Sequence, residues 1–129
     1  MRMRKIVKPG LILIVLALFL GCAATFSQTI YREQATSLSL YKGIINPALT
    51  DLRAQGLITD AGWKKYSDLA NTFLDKHKAL SLAMVKYSTD GGTSQSAVNL
   101  AEAAMQEALT DLKSFYLLTV PASQQKPLF

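Results

Sequence analysis

Apolar residues recur along this chain at alternating steps of three and four, the repeat that marks one face of a helix. The longest such series is Trp63, Tyr66, Ala70, Phe73, His77, Leu80, Met84 and Tyr87, sustained for more than three heptads. Leu69, Leu74 and Ala83 widen the stripe. Thr59 or Asp60 can cap its start, and Asp90-Gly91-Gly92 ends it. The spacing predicts a helix over 60–88, roughly 43 Å long at about 1.5 Å per residue. Val98, Ala101, Met105, Ala108, Leu112 and Phe115 repeat the pattern, flanked by Ala97, Ala104 and Tyr116. They predict a further helix from Thr93 or Ser94 to about Thr119, before Pro121. Its first half is mostly alanine, so a neighbouring helix can approach closely there.

An earlier series, Leu38, Tyr41, Ile45, Ala48 and Leu52, follows a polar stretch from Ser27 to Glu33. Asn46-Pro47 interrupts it, either as a new N-cap with a first-turn proline or as a kink. The series continues across Pro47 in phase, so a kinked helix ending near Gly56 is expected. Three segments of similar length, joined by short turns at 56–59 and 90–93, predict an all-α fold. The expected architecture is an antiparallel three-helix bundle over 35–120, its first helix kinked, behind an N-terminal signal or anchor helix. The tail, 121–129, has two prolines and little to bury, and is expected to be disordered. No strand-like alternation and no repeat of 20 to 50 residues appears.

The N-terminus has a different pattern. Arg2, Arg4, Lys5 and Lys8 precede an apolar run from Leu11 to Leu20, followed by Gly21-Cys22-Ala23-Ala24. A basic region, an apolar region and small residues make an export signal. The apolar run is short of the roughly 20 residues that a spanning helix needs. Phe19-Leu20-Gly21-Cys22 resembles the lipobox of bacterial lipoprotein signal peptides, in which an aliphatic residue, a small residue and Gly or Ala precede Cys. Gly21 and Cys22 match; Phe19 and the bulky Leu20 depart from the usual Leu-Ala or Leu-Ser.

The resemblance implies cleavage between Gly21 and Cys22, lipidation of the Cys22 sulfur (palmitate being the diagnostic label), and acylation of the new amino group. Several acyl chains on one residue give stable membrane anchoring. It divides the chain into a signal peptide at 1–21, a lipidated cysteine and tether at 22–34, and the bundle beyond. Ala23 after the cysteine, rather than Asp, implies the outer membrane where the host has one. The chain would then face the periplasm or the exterior. Two other readings stay open: cleavage after Ala24 by an ordinary signal peptidase, giving a secreted helical protein, or retention of the segment as an uncleaved anchor.

The signal changes what the charge means. Four of the fourteen Lys and Arg lie within it, leaving ten against nine Asp and Glu, so the net +5 shrinks to +1. The basicity is a targeting feature, and no nucleic-acid partner is expected. About 107 residues follow Cys22, enough for one small domain. Cys22 is the only cysteine, so an exported domain must be held by its apolar core without disulfides.

Little of the sequence suggests catalysis. His77, the only histidine, falls on the apolar series, and a half-buried core histidine with one hydrogen-bond partner is expected. No second histidine or thiol is available for a metal site, and no metal or cofactor is expected. The carboxylates Asp51, Asp60, Asp68, Asp75, Asp90, Glu102, Glu107 and Asp111 are scattered, and Glu107 and Asp111 are a mildly repulsive pair four apart. No G-x-S-x-G occurs, and Gly91-Gly92 lacks the lysine of a phosphate loop. Tyr31, Tyr41, Tyr66, Tyr87, Tyr116 and Trp63 could line a groove, but aromatics at this spacing are read as core.

From Leu57 to Tyr87, where Ile-Thr-Asp leads into an amphipathic helix rooted at Trp63, the chain loosely resembles small three-helix lipoproteins of unknown function from bacteria and their prophages. The expected function is a non-enzymatic envelope lipoprotein. It would be anchored through Cys22, with a structural role or an envelope protein as partner. The alternative is a self-associating helical envelope factor, prophage-derived or not.

Overall fold

A computed structural model of the chain describes residues 25–128. The signal-like segment, including Gly21 and Cys22, lies outside the described residues. The chain divides into two units, 1–32 and 33–129. The described part of the first, 25–32, is helical.

The second unit is helical from its first residue. Helix α1 covers 33–40, a π-helical turn follows at Tyr41–Ile45, and α2 spans Asn46–Ala54. Helix α3 is Asp60–Thr89, α4 is Gln95–Thr119, and a 3-10 turn at Ala122–Gln124 closes the chain. The fold is all-helical, with three helical segments and no strand among the described residues.

The ends of α3 form where the sequence signals them. The Thr59 hydroxyl oxygen accepts from the Gly62 amide at 3.0 Å, satisfying one free N–H of the first turn. At the end of α2, the Leu57 amide reaches back to the Leu52 carbonyl at 2.9 Å. The intervening Gly56 turns with φ +70°, a conformation that side chains disfavour. Arg53 ties the turn together: it pairs with Asp60 at 2.7 Å and lies 5.9 Å above the Trp63 ring.

The core of this unit forms where α3 meets α4 and where the first segment meets both. It buries Tyr66, Ala70, Phe73, Leu80, Met84 and Tyr87 from α3. Helix α4 contributes Val98, Met105, Ala108, Leu109, Leu112 and Tyr116. Tyr116, rather than the half-buried Phe115, completes the α4 stripe, and Ala97 is exposed. Three contacts join the first segment to α3. Gln34 meets Ser81, Tyr41 packs 5.5 Å from Phe73, and Asn46 bonds Tyr66.

The first segment keeps most of its expected series. Tyr41, Ile45 and Leu52 are buried as expected, while Leu38 and Ala48 are half-buried and Leu49 is buried in place of Ala48. That change follows a π turn, whose wider turn takes up one additional residue. The Asn46 amide bonds the Tyr41 carbonyl, five residues back. Pro47, next in the chain, has no N–H, and its ring would crowd the carbonyl four residues earlier. The widened turn meets that constraint.

Two further expectations are corrected. Helix was expected only after the polar stretch, yet 25–34 are helical. Gln34 and Ser37 are buried because partners on α3 and α4 satisfy their polar atoms. The tail was expected to be disordered. It folds back instead: the Gln125 amide donates to the Leu117 and Val120 carbonyls at 3.0 and 2.8 Å, and the Lys126 amide donates to the Tyr116 hydroxyl at 2.7 Å. Helix α4 ends with carbonyls that need donors, and the tail supplies them.

Candidate functional site

Three places in the second unit bring chemically active groups together. The first surrounds His77. Its ring lies 6.1 Å from Phe73 and is half-buried. The Nε2 atom is enclosed and meets no hydrogen-bond partner, where one was expected. The polar contacts fall on its backbone: the His77 carbonyl accepts from the Gln34 amide at 3.2 Å and the Ser81 hydroxyl at 3.3 Å. The Gln34 amide also reaches the Ser81 oxygen at 2.6 Å. These bonds join helices. None of them orients the imidazole as a base.

The second is a recess of about 180 Å³ between the α1–α2 segment and the end of α4. Pro47, Asp51, Tyr116 and Lys126 are among its walls. The Tyr116 hydroxyl is already engaged by the Lys126 amide. The recess is a seam closed by the returning tail.

The third is a groove of about 230 Å³ between α3 and α4, lined by Lys65, Leu69, Asp111, Ser114, Phe115 and Leu118. The Lys65 amine lies 5.9 Å above the Phe115 ring. Phe115 in turn stacks on Tyr66 at 6.2 Å. Leu118 is 88% exposed. Sequence reasoning placed Phe115 in the core and missed this groove. The signal was present in the spacing of Asp111, Phe115 and Leu118, which share one side of α4.

Of the tyrosines read as core, Tyr41, Tyr66, Tyr87 and Tyr116 are buried, while Tyr31 is exposed and Trp63 is half-buried. Burial, and then the neighbouring Tyr41 hydroxyl, push the Tyr66 hydroxyl well above the ordinary tyrosine range. Neutral Tyr66 donates to Asn46 Oδ1 at 2.6 Å, so it serves as a fixed hydrogen-bond donor. At the α3–α4 turn, the nearby Ser94 and then Thr93 hold the Asp90 carboxyl below its usual range, although the enclosed Ser94 Oγ has no hydrogen-bond partner within bonding geometry among the described residues and the backbone amides make the bonds. Asp90 Oδ1 accepts from the Gly92 and Thr93 amides at 3.2 and 3.0 Å.

Among the described residues, no three His, Cys, Asp or Glu side chains group closely enough to hold a metal ion. No helix among them is long and apolar enough to cross a membrane. Gly21 and Cys22, the expected cleavage and lipidation positions, lie outside them. No protein family, curated protein or solved structure matches the chain.

Proposed function

We propose that this protein is a non-enzymatic lipoprotein of the bacterial envelope, anchored through lipid on Cys22 and presenting a helical bundle to an envelope partner. The observation that carries the reading is Gly21-Cys22 directly behind a basic and apolar segment, in a chain with no other cysteine. The Ala23 position favours the outer membrane in a host that has one.

The finer architecture belongs to the same proposal: an antiparallel bundle with its first helix bent near Pro47. Support comes from the pairings Gln34–Ser81, Tyr41–Phe73 and Asn46–Tyr66, whose positions rise on one helix as they fall on the other. The π turn beside Pro47 supports the bend. A scaffolding role fits the polar groups of the interior, since Gln34, Ser37, Asn46 and Tyr66 bond helix to helix.

Radiolabelled palmitate tests the reading. Cells expressing the full chain should incorporate label into this protein, and Cys22→Ala should abolish it. An inhibitor of lipoprotein signal peptidase should leave a labelled, uncleaved precursor. Equal labelling of the parent and Cys22→Ala would refute the anchor.

A further inference from the structure

We infer that the groove between α3 and α4 is a docking surface for a second copy of this chain. Its floor is apolar, made by Leu69, Phe115 and Leu118, and Leu118 stands 88% exposed. The two walls differ in charge. Along α3, Lys65, Leu69, Thr72 and Lys76 follow at steps of four, three and four, with two cations and no acid. Along α4, Glu107, Asp111, Phe115 and Leu118 follow at steps of four, four and three, with two anions and no cation. Among the described residues the ion pair is Arg53–Asp60, so Lys65, Lys76, Glu107 and Asp111 are all unpaired.

Lys65 and Asp111 line the same groove, yet the Lys65 amine turns onto the Phe115 ring. A helix pair laid over this groove meets a basic wall and an acidic wall side by side. A second copy, turned by a two-fold axis, sets its own α3 on α4 and its own α4 on α3. The contact then pairs basic with acidic twice and covers the apolar floor. A partner of uniform charge would be repelled by one wall. The inference rests on packing and charge and is independent of lipid on Cys22.

The test uses the full chain in bacterial cells, expressed in two forms with different epitope tags. A photoreactive residue replaces Leu118, and irradiation should give an adduct containing both tags. Lys65→Glu/Lys76→Glu should reduce that adduct about tenfold or more, and so should Glu107→Lys/Asp111→Lys, because each places like charges across the pair. Co-expression of the two double variants should restore it, since each supplies the wall that the other lacks. All four side chains except the partly covered Lys65 stem are free of packing, so cellular levels of both variants should match the parent. An adduct with only one tag, undiminished adduct in either variant, or no rescue on co-expression would overturn the inference. The same experiment in Cys22→Ala separates it from the anchor: loss of labelling with retained adduct would leave this interface standing.

Discussion

The α3–α4 contact and the contact of the first segment with α3 are built differently. The former is an apolar seam, with Phe73, Leu80 and Met84 on one side and Val98, Met105 and Leu112 on the other, all at most 1% exposed. The latter buries amides and hydroxyls: Gln34 between His77 and Ser81, Asn46 against Tyr66, and Ser37 against Gln106 of α4. An apolar seam supplies most of the burial free energy but tolerates sliding by a heptad, because one leucine resembles another. A buried amide has to find its partner, and a slip leaves it unsatisfied. The seam therefore makes the helix pair stable, while the polar contacts set where the first segment docks.

The largest expected effect tests the seam. Phe73 is fully buried and touches both Tyr41 and His77. Phe73→Ala should cost about 3 to 5 kcal/mol, read from urea melts. Domains of this size hold only about 5 to 15 kcal/mol in total, so the variant should be near unfolding at growth temperature. Exposed Asp75, two residues on, should change stability by less than about 0.5 kcal/mol as Asp75→Ala. Equal midpoints for the two would place Phe73 outside the core.

The next effect tests the register of the first segment. Leu49 is fully buried and Ala48 only half-buried, the reverse of the unshifted repeat. Leu49→Ala should cost about 2 to 5 kcal/mol. Deleting Gly43 from the π turn, combined with Pro47→Ala, should cost under about 1 kcal/mol. It removes the additional residue together with the proline that the widened turn accommodates, and leaves Ile45, Leu49 and Leu52 in phase with Tyr41. Deleting the exposed Thr50 in the same Pro47→Ala background should instead carry Leu52 off the core, at a cost comparable to Leu49→Ala. Similar stabilities for the two deletions would show that the turn does not set the register.

These two regions also show what the sequence discloses. Helices α3 and α4 were legible to within about two residues, because long periodic series between good caps leave few alternatives. The first segment was legible as a helix with Tyr41, Ile45 and Leu52 inside, but the burial of Leu49 in place of Ala48 was not. A π turn inserts its residue without any change in composition, and Leu38, Ile45, Ala48 and Leu52 fit an unbroken repeat just as well. Gln34 fell in the expected tether, and Ser37 was not placed in the core of the expected bundle, because their burial depends on Ser81 and Gln106, distant in sequence. The tail was read as disordered for the same reason: its anchors are the Tyr116 hydroxyl and two α4 carbonyls, which no local pattern reveals. Periodicity identifies apolar faces and passes over polar groups that are satisfied at long range.

Polar docking gives a smaller effect. Gln34→Ala leaves the His77 carbonyl with Ser81 as its remaining side-chain donor. A loss of about 1 to 2 kcal/mol is expected, with Gln34→Leu no better despite its larger apolar area. Hydrogen exchange should show the selectivity. Amides of 33–54 should lose protection, while those of the α3–α4 seam keep theirs. Uniform loss across all three segments would mean that the first segment and the seam form one cooperative unit.

The smallest expected effect lies at the α3–α4 turn and concerns the seam's own connection. Asp90 accepts from the Gly92 and Thr93 amides, and its carboxyl, beside Ser94 and Thr93, lies below the usual aspartate range. A carboxyl whose pKa is lower folded than unfolded stabilises the fold when ionised. That contribution is present above the unfolded value, about 3.9, and is lost as pH falls through the folded value beneath it. The change is a modest decline in Tm as pH falls below about 4. Asn at this position keeps an oxygen for the two amides but cannot titrate. Asp90→Asn should therefore flatten this part of the Tm profile while leaving Tm at pH 7 slightly below the parent. Parallel acid profiles for the parent and Asp90→Asn would mean that the turn is closed by Gly91 and Gly92, both at positive φ, with no net help from the carboxylate.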